Sequence, residues 1–82
     1  MNIIEELIQE IKRAEFFVEN HLSGLEPGFD VFLTSAAYNK LNDHYMTVGP
    51  RTSILGHTLF VQESDEMCYW FANRRKLYGG EE

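Results

Sequence analysis

His21, His44, His57 and Cys68 are the residues of this 82-residue chain best suited to binding a metal or attacking an electrophile. They fall on separate stretches, with neither an H-x₃-H nor a C-x-x-C spacing, so the pattern points away from a zinc centre. Cys68 and His57 form the one nucleophile–base pair worth naming. If residues 54–62 and 67–73 are the two arms of a hairpin, these side chains sit across from each other. No orienting carboxylate or oxyanion-hole motif accompanies them, and a cysteine buried in a strand is normally inert. Asp43-His44 and the run Glu63-Ser64-Asp65-Glu66 have the composition of surface and turn residues rather than acid–base pairs. The six glycines are scattered and form neither G-x-G-x-x-G nor a phosphate loop. The expectation is a non-enzymatic protein with no catalytic residue, no metal and no cofactor.

The segment Ser53–Lys76 carries more information. It contains the only Trp, the only Cys, two of the six Phe and three of the seven cations. Its pattern predicts a strand over Ile54–Gln62, a polar turn at 63–66, and a strand over Met67–Asn73 laid beside the first. In the first arm Leu55, His57, Leu59 and Val61 alternate with Ile54, Thr58 and Phe60, with Gly56 between them. In the second, Met67, Tyr69 and Phe71 alternate with Cys68, Trp70 and Ala72. Both faces of such a ribbon are apolar and need cover. The expectation is that two helices supply it; otherwise an aromatic face is left for a partner. A helix from Ser64 to Leu77, closed by Gly79, is the other state this aromatic string tolerates.

The remaining elements must position that segment. Residues 2–22 read as a long amphipathic helix: Ile4, Leu7, Ile8, Ile11, Ala14, Val18 and Leu22 recur at three and four, with Ile3, Phe16 and Phe17 widening the stripe. Asn2 and Glu5 make a capping-box pair. Ser23-Gly24 and Pro27-Gly28 end it. Phe29–Leu33 alternates as a strand. Thr34-Ser35 then caps a short helix over Ala36 to His44 or Tyr45, with Ala37, Tyr38, Leu41 and Tyr45 inward. A loop at 46–53 follows, marked by Gly49-Pro50 and carrying Arg51. The fold class is therefore α+β, in the order α-β-α-β-β, with a small three-stranded, mainly antiparallel sheet and a long N-terminal helix. Residues 1–82 form a single domain, with 29–76 as a βαββ core and 77–82 as a frayed tail.

The formal charge is −6, the wrong sign for a free DNA-binding domain of this size. Acidity favours a basic partner, or imitation of a nucleic-acid backbone. A lone cysteine suits a reducing cytoplasm, and no apolar run approaches the ~20 residues that span a bilayer. A core this small makes self-association or a partner an expectation.

Two resemblances bear on function. Trp70-Phe71-Ala72-Asn73-Arg74-Arg75-Lys76 resembles the W-F-x-N-x-R recognition helix of homeodomains. The resemblance implies core roles for Trp70 and Phe71, adenine reading by Asn73 and phosphate contact by Arg75, with Arg74 and Lys76 alongside. It covers seven residues, and the chain lacks the family's basic N-terminal arm. Over residues 29–73, F-D-V-F-L-T-S-A-A-Y-N-K-L followed by I-L-G-H-T-L-F-V-Q and an aromatic strand resembles small bacteriophage-encoded proteins of unassigned function. That resemblance implies a phage or mobile-element protein and no catalytic residue.

Together these readings give an acidic protein-interaction module of the host cytoplasm that binds a protein partner or itself. Phe60, Tyr69, Trp70 and Phe71 are the expected anchors, and Glu5, Glu6, Glu10, Glu15 and Glu19 steer a basic partner. Leu7 and Ile11 are the expected seam of a homo-oligomer. The alternatives are a nucleic-acid binder using Asn73, Arg74, Arg75 and Lys76, and an acidic inhibitor that imitates DNA.

Overall fold

The computed structural model describes residues 2–21, 24–46 and 49–73. In chain order it contains α1 (Ile3–Glu19), β1 (Asp30–Leu33), α2 (Ser35–Tyr45), β2 (Ser53–Ile54), β3 (His57–Val61) and β4 (Tyr69–Ala72). The α+β class and the long N-terminal helix stand. The sheet differs from the expected one: it has four strands in the order β2-β3-β1-β4. β1 runs parallel to β3 and antiparallel to β4, so the sheet is mixed.

Residues 69–72 are extended, as the alternation predicts, but they do not lie beside 57–61. β1 separates the two, with Phe32 opposite Phe60 on one side and opposite Trp70 on the other. Short apolar strands of similar composition carry no local signal for which neighbour each will take. The connection from β3 to β4 therefore passes around the end of β1 and grips it. The Gln62 amide donates to the Leu33 carbonyl at 2.8 Å, and the Thr34 amide donates to the Cys68 carbonyl at 2.9 Å. Within this connection the Ser64 hydroxyl accepts from the amides of Glu66 and Met67, which closes the turn.

The predicted strand 54–62 is broken by a two-residue hairpin. Ile54 pairs with His57, and Leu55 and Gly56 between them have φ of 50° and 85°. Two positive φ values mark a type I′ turn, which favours Asn-Gly because asparagine tolerates the left-handed region better than a branched apolar residue. Leu55 is also 45% exposed. Leu55→Asn should therefore raise stability by about 0.5–1 kcal/mol, read as a higher urea midpoint at unchanged slope.

Helix α1 begins as predicted. The Asn2 side chain accepts from the Glu5 amide at 2.8 Å, and the Glu5 carboxylate accepts from the Asn2 amide at 3.4 Å. It ends at Glu19, short of the predicted residue 22. There the Asn20 side chain donates to the Phe16 carbonyl at 2.8 Å and His21 turns to φ 57°. Asparagine competes for the last carbonyls better than it continues a helix. Helix α2 is capped by the Thr34 hydroxyl, which accepts from the Ala37 amide. The Glu63 carboxylate also accepts from the Ser35 amide at 3.0 Å. The Ser35 hydroxyl and then the Ser35 amide hold the Glu63 carboxyl below its usual range.

The core gathers Ile4, Leu7, Ile11 and Ala14 of α1 and Ala37 and Leu41 of α2. They pack against Phe29, Val31, Leu33, Ile54 and Leu59, so both helices lie on one face of the sheet. Leu7 and Ile11 are 0% exposed, which corrects their expected role as an oligomer seam. An apolar stripe spaced at three and four looks the same whether it faces a sheet or another helix. Phe16 and Phe17 lie outside this core and stay exposed. No helix among the described residues is long and apolar enough to cross a membrane.

Candidate docking surface

Strand alternation divides the aromatic residues between the two faces of the sheet. Tyr69 and Phe71 of β4 share the face of Val31, Leu33 and Leu59 and pack against the core. Phe71 tilts against Phe29 with centroids 5.4 Å apart, and Tyr69 lies 6.0 Å from Phe71. The four expected anchors therefore do not form one surface, because neighbouring strand residues point in opposite directions. The Tyr69 hydroxyl donates to Glu6 of α1 at 3.0 Å. Burial and then that carboxylate push the phenol up to about 12. The neutral phenol is the favoured form, so this contact contributes below the ordinary tyrosine range near 10 and is lost as pH rises towards about 12. An ultraviolet difference titration should show a late phenol that Tyr69→Phe removes.

The opposite face carries Phe60, Phe32 and Trp70, one from each of β3, β1 and β4 and aligned in register. Phe32 stacks on Phe60 at 5.2 Å and 25°, and on Trp70 at 5.5 Å and 7°. Phe60 is 43% exposed, and none of the three belongs to the helix-covered core. The expected cover of both faces by the two helices is thus not what the fold adopts. Phe32 is the member that sequence reading missed. Its signal was present, since it alternates with Val31 and Leu33, but its place in the row depends on β1 being central.

The row has a defined character. Both faces of Phe32 are taken up by its neighbours, so the three rings act as one apolar ridge. A nucleobase stacks on a free aromatic face, and the middle of this row offers none.

The other expected sites are accounted for by the fold itself. His57 stacks on Phe29 at 4.1 Å. Its Nδ1 bonds the Phe29 carbonyl at 2.8 Å and its Nε2 bonds Glu15 at 2.7 Å. Both ring nitrogens are committed, and the residue pins α1 to the entry of β1 rather than offering a base. Cys68 is exposed and bonds through its carbonyl to Thr34. Along β1, His57 lies near Phe29 and Cys68 near Thr34, at opposite ends of the strand and on either side of it, about 19 Å apart. The expected Cys68–His57 pairing across a hairpin is therefore not formed. Among the described residues no group of three or more His, Cys, Asp or Glu side chains is placed to hold a metal ion.

Asn73 is engaged internally too. Its Oδ1 accepts from the Glu26 amide at 2.6 Å and its Nδ2 donates to the Gly24 carbonyl at 3.0 Å. This is the same donor–acceptor pair with which an asparagine would read adenine. Trp70 and Phe71 lie in a strand, on opposite faces, rather than together in a recognition-type helix. Arg74, Arg75 and Lys76 lie outside the described residues. On α1, Glu5 closes the capping box, Glu6 holds Tyr69, Glu10 pairs with Arg13 at 3.6 Å and Glu15 holds His57. Glu5, Glu6 and Glu15 thus tie parts of the fold together, while Glu10–Arg13 is an exposed pair within one turn of α1.

No protein-family model, curated protein or solved structure matches this chain. The function is therefore read from the geometry alone.

Proposed function

We propose that the protein is a non-enzymatic interaction module that captures a partner protein on the Phe60–Phe32–Trp70 face. One observation carries the reading: both helices cover a single face of the sheet, and the other bears an in-register aromatic ridge. Aromatic side chains are rigid and bury much area per residue, which makes them the usual centres of interface energy. The acidity of the chain (formal charge −6) steers towards a basic partner. Tyr69, Phe71, Leu7 and Ile11 support this face from beneath and do not touch the partner.

The test compares captures from cell lysate by the wild type, by Phe60→Ser with Trp70→Ser, and by Phe16→Ser as a control on a different exposed aromatic. A protein should be retained by the wild type and by the control and lost from the double variant, by about thirtyfold for each central anchor removed. Retention that ignores the double substitution, or capture of nucleic acid in place of protein, contradicts the proposal.

A further inference from the structure

We infer that β4 is an edge that pairs antiparallel with β4 of a second copy of the chain, across a two-fold axis at Trp70. The phase of the ladder shows which groups are on offer. The Thr34 amide bonds the Cys68 carbonyl, and the Gln62 amide bonds the Leu33 carbonyl from the opposite side of β1. Bonded residues alternate in an antiparallel pair, so Phe32–Trp70 and Asp30–Ala72 are the bonded pairs of β1 and β4. The amides and carbonyls of Tyr69 and Phe71 therefore point away from β1, at the edge of the sheet. No described residue bonds them.

An open edge invites another strand unless charge, proline, a bulge or brevity blunts it. The far edge, β2, is two residues long. β4 is Tyr69-Trp70-Phe71-Ala72, without charge or proline, and it keeps unbroken register with β1. Self-pairing follows from these positions. With Trp70 opposite Trp70 of the second copy, Tyr69 of each copy faces Phe71 of the other, and these outward residues exchange amide and carbonyl bonds. The two Trp70 residues become a non-hydrogen-bonded cross-strand pair, the kind in which side chains approach most closely. The aromatic ridge then runs on from one copy into the next.

Charge favours the same arrangement. Glu66 and Asp65 stand four and five residues before Trp70, and Arg74 and Arg75 stand four and five residues after it. Antiparallel pairing about Trp70 sets the exposed acidic turn of each copy at the end of β4 that leads, in the other copy, into Arg74-Arg75-Lys76. Parallel pairing would set acid beside acid and base beside base. An interface of one short strand is of the small, weak kind, and its population rises with protein concentration. It stands apart from the docking reading above, because it uses the backbone of Tyr69 and Phe71 and not the Phe60 ring.

The experiment follows molar mass by sedimentation equilibrium as the chain is concentrated. Trp70→Lys and Trp70→Glu, each checked for unchanged circular dichroism, place like charges at the two-fold axis. The wild type and Phe60→Ser should dimerise alike. Either Trp70 variant alone should dimerise at least about tenfold more weakly, and an equal mixture of the two should recover the dimer. On the wild type alone, hydrogen exchange at the Tyr69 and Phe71 amides should slow as dimer forms, while the Trp70 and Ala72 amides are protected at every concentration. A wild type that stays monomeric, a dimer indifferent to the Trp70 variants, or a mixture that stays monomeric overturns the inference. So do Tyr69 and Phe71 amides that already exchange slowly in the dilute monomer. A dimer that Phe60→Ser also abolishes assigns the contact to the ridge and overturns edge pairing.

Discussion

Phe29→Ala is expected to lower stability by about 3–5 kcal/mol, the range for truncating a buried aromatic residue. Phe29 is 1% exposed and forms the floor on which the two helices and the sheet meet. His57 stacks on it at 4.1 Å, and Phe71 leans on it at 5.4 Å. Removing the ring opens a cavity beneath both and frees the entry to β1. A single small core seldom supplies more than about 3–5 kcal/mol in total, so the variant should be largely unfolded in the absence of stabilising co-solvent. Phe60→Thr gives the contrast. It removes an equally large ring from the other face, places a β-branched residue in the strand, and should cost no more than about 1 kcal/mol for the lost cross-strand pair with Phe32. Urea midpoints of the two variants measure the difference directly.

His57→Ala should have the second-largest effect, about 2–4 kcal/mol. The loss has three parts: the stack on Phe29, the bond to the Phe29 carbonyl and the bond to Glu15. A buried carbonyl deprived of its donor costs about 1–3 kcal/mol of that loss. Glu15 has 43% of its side chain exposed, so water compensates it and Glu15→Gln should cost less than His57→Ala. A double-mutant cycle between the two should return a coupling above about 0.5 kcal/mol. A coupling of zero would mean that His57 acts only through its ring packing.

Much of the architecture was legible because it is local. The Asn2–Glu5 capping box, the Thr34 cap of α2, the core positions of α1 and the alternation of β4 each follow from residues a few positions apart. What escaped the sequence was long-range or disguised. Leu55-Gly56 makes a tight hairpin with a residue that seldom occupies the left-handed region, so the break between β2 and β3 carried no ordinary turn signal. The placement of β1 between β3 and β4 depends on a parallel crossover through α2, which short apolar strands do not announce. That placement decides the candidate site. It adds Phe32 to Phe60 and Trp70, and it sends Tyr69 and Phe71 inward. The sequence offered only Cys68 as a partner for His57 because Glu15, the residue it bonds, lies 42 residues away.

The most direct measurement of the two-faced sheet is the broadening of aromatic side-chain resonances by a neutral paramagnetic chelate in solution. The Phe60 ring, 43% exposed, should broaden strongly while Phe29, 1% exposed, stays sharp. Equal protection of the two rings would mean that the ridge is covered within the chain and has no free surface to offer a partner.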